Sequence, residues 1–258
     1  REIEKQRSGQ AIEVVVVDNS LDDTRRMVER DFPGVKLIPA PKDKLIPELW
    51  GIGVGQSEGE FVALSTTHFV PADDWITEIV KAHESGAAGI GGAIENSSAA
   101  GIVSWAVYFC RYSRYMLPFA ESKTHDFAAD NASYKRIELN RVKDVMKDGF
   151  WEVRVHEEMQ RASMDLSLNP KVVVYHQNSF SFSDFISQRF QHGRKYGFDR
   201  SSTIPNWQRV VFILCSPLIP LIYLYRIATR VLARRRNIHK FALSLPILII
   251  FLFSWSLG

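Results

Sequence analysis

Two textures alternate along the first hundred residues. "AIEVVVVDNS" (11–20) is a run of β-branched residues ending in Asp18 and Asn19, as expected of a strand buried on both faces. "LDDTRRMVERDFPG" (21–34) has acids first and a Pro-Gly stop last, which predicts a helix. "VKLIPA" (35–40) predicts a second strand. Residues 45–58 read as a helix despite Gly51, Gly53 and Gly55, which mark a place where a backbone or ligand comes close. Phe61 to Leu64 is a third buried strand, running into Ser65, Thr66, Thr67 and His68. A helix from about Asp73 to His83, ended by Gly86, and the strand "AAGIGGAIEN" (87–96) follow. This alternation predicts a parallel sheet with helices on both faces and ligands at the carboxyl ends of its strands.

Past residue 100 the rhythm loosens. An amphipathic helix is predicted over about 101–116, then a polar loop "ESKTHDFAADNASYKR" (121–136) and a helix over about 137–147. "DGFWEVRVHEEMQRA" (148–162), a strand near "PKVVVYH" (170–176) and a helix through "FSDFISQRFQHGRKYG" (182–197) complete this part. There are no internal repeats and no low-complexity tract.

The pattern changes again near the end. "VVFILCSPLIPLIYLY" (210–225) contains no charge, and "FALSLPILIIFLFSWSLG" (241–258) is a second apolar run. A helix of the first length spans roughly 24 Å against about 30 Å of hydrocarbon, and Pro217 and Pro220 would kink it. Between the runs lies "RIATRVLARRRNIHK". Charge sharpens the division. After Asp199 there is no acid, and eight of the 32 basic residues lie there, leaving 24 against 29 acids before it, a net of about −5 for residues 1–199. The chain therefore reads as a mildly acidic globular part joined to a basic, apolar tail in contact with membrane lipids. Full spanning by both runs from a cytosolic globular part would put the Arg-rich linker outside, against the positive-inside tendency. A re-entrant or interfacial first run, with arginines at anionic headgroups, removes that conflict.

With 258 residues, 46% of them hydrophobic, the chain can bury one sizeable core and carry an appendage. Cys110 and Cys215, the only cysteines, have no metal-ligand or redox spacing and suggest a reducing compartment. The chain starts at Arg1 and leads quickly into a buried strand, which reads as a fragment missing its first element. No motif points to nucleic acid, and the basic tail suits lipid headgroups better.

Five stretches occur in an order that matches one family: "VVVVDNSLDDT", "GIGVGQSEGEFVAL" with a polar turn and "PADDWI", "AADNASYKR", "DGFWE" and "QHGRKYG". Together they resemble the family-2 glycosyltransferases over about residues 1–200. The resemblance implies an α/β, GT-A (nucleotide-diphospho-sugar transferase) fold with a mostly parallel sheet and flanking helices, followed by C-terminal apolar membrane helices. It implies a glycosyltransferase domain over 1–203, with its N-terminal strand missing, and membrane-associated helices over 204–258. The implied activity is transfer of a sugar, with inversion, from a UDP- or GDP-linked donor to a saccharide or polyprenyl-linked acceptor. The expected location is the cytoplasmic face of a bacterial inner membrane, in cell-envelope polysaccharide synthesis.

Such chemistry needs a nucleotide pocket, neutralisation of the departing diphosphate, and a general base. In the family a carboxylate at the position of Asp18 bonds the nucleobase, with Asn19 beside it; Asp22 and Asp23 serve the next helix start. Thr66, Thr67 and His68 stand where the family has Asp-X-Asp, whose last carboxylate holds Mn²⁺ or Mg²⁺. His68 keeps a possible metal ligand there, with His176 as a second; metal-free neutralisation by Arg or Lys is the alternative. Glu152 is the expected general base, the second residue of a Glu-Asp motif whose first acid is here Trp151. An acid beside a bulky indole is partly desolvated, which suits it to proton abstraction. Glu157 and Glu158 are fallbacks, and His156 is placed to orient Glu152 or line the acceptor site. Asp130 and Asn131 are expected to face donor sugar and acceptor. Gln191 and Arg194 match a Gln-X-X-Arg-Trp motif in which Lys195 replaces Trp, and Arg194 or Lys195 could reach the diphosphate. The main rival is a non-catalytic nucleotide- or saccharide-binding homologue acting as a membrane assembly partner. A nucleotidyltransferase on a similar sheet is a distant third.

Overall fold

A computed structural model describes residues 2–6, 11–97, 99–177, 180–201 and 204–258. Along the chain run α1 (Glu2–Lys5), β1 (Val15–Asp18), α2 (Thr24–Asp31), β2 (Lys36–Pro39), α3 (Ile46–Gln56), β3 (Phe61–Leu64), β4 (Phe69–Pro71), α4 (Trp75–His83) and β5 (Gly89–Asn96). Then come α5 (Ile102–Tyr112), β6 (Ser122–Thr124), β7 (Ala132–Lys135), α6 (Arg136–Arg141), α7 (Glu152–Arg161) and β8 (Leu166–His176). The last elements are α8 (Phe182–Ser201), α9 (Asn206–Cys215), α10 (Ile219–Arg234) and α11 (Ile238–Leu257). The chain forms two compact units, residues 1–93 with 120–174, and residues 94–119 with 175–258. The boundary expected at residue 203 falls inside the second of these.

In the first unit β1 and β2 pair in parallel, Val15 opposite Lys36 through Asp18 opposite Pro39. Val15 to Val17 are only half-buried, since this is a two-stranded sheet, not the doubly covered strand expected. The larger sheet has the order β3-β7-β5-β8-β4, with β6 also beside β8. It is mixed rather than mostly parallel. β7 is antiparallel to both β3 and β5, and β6 to β8. β5 and β8 run in step, with Ala88 N bonded to Asp165 O and Ser97 N to His176 O, as in a parallel pair.

β7 is the main departure from the sequence reading, because "ASYK" lies inside the stretch predicted to be a polar loop. It sits between β3 and β5, and Ala132, Ser133 and Tyr134 are all buried. The Ser133 hydroxyl is satisfied by His83 Nε2 at 3.0 Å, so a polar residue is tolerated in mid-sheet. Tyr134 packs against Phe127, Phe150 and His156. Full burial of an aromatic of this size is worth about 1.5–3 kcal/mol, which holds so short a strand in place.

The core of the second unit is aromatic. Trp105, Tyr108 and Phe109 of α5 are buried, Phe109 meets Phe241 of α11 edge-on at 5.3 Å, and the Tyr108 hydroxyl donates to Ile94 O at 2.8 Å. Further along α11, Phe251 packs on Phe182 and Phe185 of α8. The segments 206–234 and 238–257 are each long and apolar enough to cross a membrane.

Candidate functional site

Three separated segments of the first unit are tied to α3 or to the loop that leads into it. Glu48 in its first turn accepts from Leu45 N at 2.8 Å and Lys44 Nζ at 2.6 Å, which fixes the helix start. The loop before it is held from β1, because Asn19 Nδ2 donates to Lys42 O and Lys44 O. Trp50 Nε1 donates to Ser65 O at 3.0 Å and so fixes the turn after β3. Phe150 N donates to Pro47 O at 2.7 Å, which docks the "DGFWE" loop. The last contact requires glycine on both sides. A Cβ on Gly51 would lie 2.8 Å from Gly149 Cα, and Gly149 itself has φ +118°.

Asp18 ends β1 and is buried, receiving Arg25 Nε at 2.8 Å and Ser20 N at 3.2 Å. Burial raises its pKa, but the hydrogen bonds from Ser20 and Arg25 outweigh that and hold it below the ordinary aspartate value. Asp22 is a turn residue that accepts from Thr24 N at 2.9 Å, and bonds from Thr24 and Ser20 lower its pKa to about 2. The turn after β3 contains Thr66, Thr67 and His68; Thr67 is exposed and His68 half-buried. The Thr66 hydroxyl is buried without a hydrogen-bond partner in the protein. Glu152 opens α7, and its Oε2 accepts from Ala129 N at 2.7 Å, which joins α7 to the turn carrying buried Asp130 and Asn131.

Asn131 has a different occupation from the one expected. Its Nδ2 donates to Ala93 O at 2.8 Å and Val172 O at 3.0 Å, and its Oδ1 accepts from Trp75 Nε1 at 2.9 Å. Both amide protons are spent on the sheet and the residue is 1% exposed, so it is a packing residue that ties β5, β8 and α4 together. His156 is likewise held in the core. It is buried, its Nε2 faces Tyr134 OH at 2.8 Å, and burial lowers its pKa to about 4. Glu157 and Glu158 lie near Arg161 on the surface of α7.

A sequence profile described as "Glycosyl transferase family 2" matches residues 1–142, more than half of the chain. The chain belongs to glycosyltransferase family 2. No curated protein matches its sequence. Among solved structures this glycosyltransferase is similar to the mannosyltransferase PcManGT from Pyrobaculum calidifontis in complex with GDP-Man and Mn²⁺. The identity is 16% and the TM-score 0.54, over 99% of this chain and 80% of that one. It is also similar to S. aureus TarS 1–349, at 12% identity and TM-score 0.50, over 98% of this chain and 84% of that one. TarS 1–349 in complex with UDP-GlcNAc gives the same values. At such identities the likeness shows the fold, GT-A.

The other residues expected to serve the glycosyltransferase site belong to the second unit. His176 is buried at the end of β8, with Nδ1 3.3 Å from Asn96 Oδ1 and its ring 5.2 Å from that of Tyr112. Gln191, Arg194 and Lys195 are exposed on α8, and Gln191 Nε2 donates to Ser187 Oγ at 3.2 Å. Among the described residues no group of three or more His, Cys, Asp or Glu side chains can hold a metal ion. Two surface clefts, of about 410 and 320 Å³, are lined by Glu60, Lys135 to Ile137 and Asn140, and by Lys44, Glu48, Gly51, Ile52 and Met146 to Gly149. Neither includes a residue expected in the site. Sequence reasoning missed Arg25, Trp50 and Gly92. Only Trp50 carried a signal, an indole beside glycines in a predicted helix, which buries well when its N–H finds an acceptor.

Proposed function

We propose that this family-2 glycosyltransferase is a membrane-attached enzyme that moves a sugar, with inversion, from a UDP- or GDP-linked donor to a saccharide or polyprenyl-linked acceptor. What supports this reading is that the chain neighbours of Asp18, Thr66 and Glu152, namely Asn19, Ser65 and Phe150, are tied to α3 or to the loop before it, and that the Thr66 hydroxyl is buried without a partner in the protein. An unpartnered buried hydroxyl is costly unless something else satisfies it. The donor nucleotides named for PcManGT and TarS, GDP-Man and UDP-GlcNAc, set the two donor classes to test.

In this reading Asp18, held ionised, accepts from the nucleobase, and Asn19 positions the adjoining loop. Thr66, Thr67 and His68 face the leaving diphosphate as hydrogen-bond donors. Glu152 takes the proton of the acceptor hydroxyl. The freed oxygen attacks the anomeric carbon from the face opposite the diphosphate, and the bond from that carbon to the phosphate oxygen breaks, inverting the centre. A divalent cation, such as the Mn²⁺ bound with GDP-Man in PcManGT, would add charge neutralisation at the diphosphate beside His68, and no step is routed through it.

The test is titration of UDP and GDP into the detergent-held protein with and without Mn²⁺, in wild type and His68→Ala. Binding of one nucleotide that weakens in the variant supports the assignment of the turn. Binding that is indifferent to both metal and His68 moves the diphosphate to other residues. Failure of both nucleotides to bind favours the non-catalytic assembly partner.

A further inference from the structure

The tail helices carry a topology that their composition alone does not. α9 and α10 form one segment, joined by a 3-10 turn at Ser216–Leu218. Pro220, Ile227 and Val231 recur down one side of α10 and are buried. Trp207, Val210, Ile213, Leu214, Leu221 and Tyr225 are exposed, an apolar surface that a water-facing protein rarely leaves open. No acid occurs after Asp199, while Arg209, Arg226 and Arg235 are exposed beside these apolar residues. Arginines interspersed with a broad exposed apolar surface match an anionic lipid leaflet, which meets both the charge and the apolar area.

The C-terminal end of the α9–α10 segment is pinned to the protein, and its N-terminal end is tethered closely to α8. At its C-terminal end Arg234 donates to the carbonyls of Ser113 and Arg114. Arg236 pairs with Glu95 at 3.3 Å and donates to Leu117 O at 3.2 Å. The chain then reverses through Arg235 and Asn237, both in the left-handed region. At the other end Asn206 follows the last residue of α8, Ser201, by five positions, a reach of at most about 18 Å. α8 carries Asp184, Arg189, His192, Arg194 and Lys195 and is not among the helices apolar enough to cross. α11 is held in the same way. It starts at the arginine turn and ends on α8, where Gly193 meets the Trp255 carbonyl and Tyr196 packs on Trp255 at 5.4 Å. Ser254 Oγ also donates to Ile186 O at 2.8 Å.

We propose that α9–α10 and α11 lie in the plane of a single anionic leaflet and do not span the bilayer. The exposed face of α9–α10 sinks among the upper acyl chains, and Arg209, Arg226 and Arg235 meet headgroups. Arg234 and Arg236 do not, because the protein itself uses them to pin the hairpin turn. The proposal shares membrane attachment with the functional reading but is tested without nucleotide, so the two fail separately.

The test uses the full chain with Cys110 and Cys215 replaced by serine and one cysteine at Asn206 or His239. Right-side-out and inside-out membrane vesicles are treated with a membrane-impermeant maleimide. Both positions are expected to react in the same vesicle orientation, and reaction in opposite orientations would overturn the proposal. A second measurement places an environment-sensitive dye at Leu221→Cys or Ile250→Cys in phosphatidylcholine–phosphatidylglycerol vesicles. Lipids brominated near the headgroup are expected to quench both dyes more than lipids brominated near the chain ends. The reverse order, or failure to sediment with vesicles, would refute in-plane seating.

Discussion

Replacement of Asn131 by alanine separates a packing role from a donor-binding role. The Asn131 amide serves three buried partners: the carbonyls of Ala93 and Val172 and the indole N–H of Trp75. Truncation removes a hydrogen bond from each of the three at a position 1% exposed. Each such group costs about 1–3 kcal/mol, and a water entering the space of the lost amide recovers part of that. The expected loss is therefore about 3–6 kcal/mol, against the 5–15 kcal/mol or so that holds a domain folded. With a urea m-value of about 2 kcal/mol/M, the midpoint should fall by about 1.5–3 M. The assay is urea unfolding of the full chain in detergent, followed by far-ultraviolet dichroism, beside nucleotide titration of the folded variant in the cold. Affinity for the nucleotide should stay near that of wild type. An unchanged urea midpoint with lost nucleotide binding would refute the packing argument and return Asn131 to the donor site.

Three further outcomes are expected. Glu152→Gln keeps an acceptor for Ala129 N, so nucleotide affinity should persist while turnover falls by at least about 100-fold in a donor-hydrolysis or transfer assay; full turnover would place the base elsewhere. Burial lowers His83 and His156 from 6.5 to about 4, so between these values the folded state binds fewer protons than the unfolded one. Stability is then full above the unfolded pKa and drops as pH falls through the window, on the order of 3 kcal/mol per histidine by its lower edge. Urea midpoints that stay flat between about pH 7 and pH 5 would contradict this. Gly92→Ala should abolish recovery of folded protein in detergent, because its Cβ would overlap the Asn131 amide and the backbone carbonyl of Val172, which cannot swing aside; a normally folded variant would show that β5 and β8 can separate locally.

Local pattern was enough for β1, α2, β2, α3, β3, α4 and β5, because alternation between strand and helix periods reports which faces must be buried. Asp18, the Thr66–His68 turn and Glu152 were singled out by the resemblance to family-2 glycosyltransferases, which assigns a role by place in a motif; a turn that follows a buried strand is consistent with such a role. The apolar, acid-free tail was equally plain. Periodicity names a buried face but not its partner. "ASYK" looked like loop because its place between β3 and β5 comes from long-range pairing and from the Ser133–His83 bond, neither of which leaves a local trace. The family resemblance put Asn131 and His176 among the ligand contacts, and a polar residue near a strand end suits a site and a core staple equally well. The structure gives each of them core partners, Trp75 with two strand carbonyls for Asn131, and Asn96 with Tyr112 for His176. The arginines of the tail looked uniform in sequence; the tertiary structure divides them, spending Arg234 and Arg236 on backbone carbonyls and Glu95 and leaving Arg209, Arg226 and Arg235 exposed. Sequence fixes which groups must be buried or paired, and the pairing itself is set by contacts far apart in the chain.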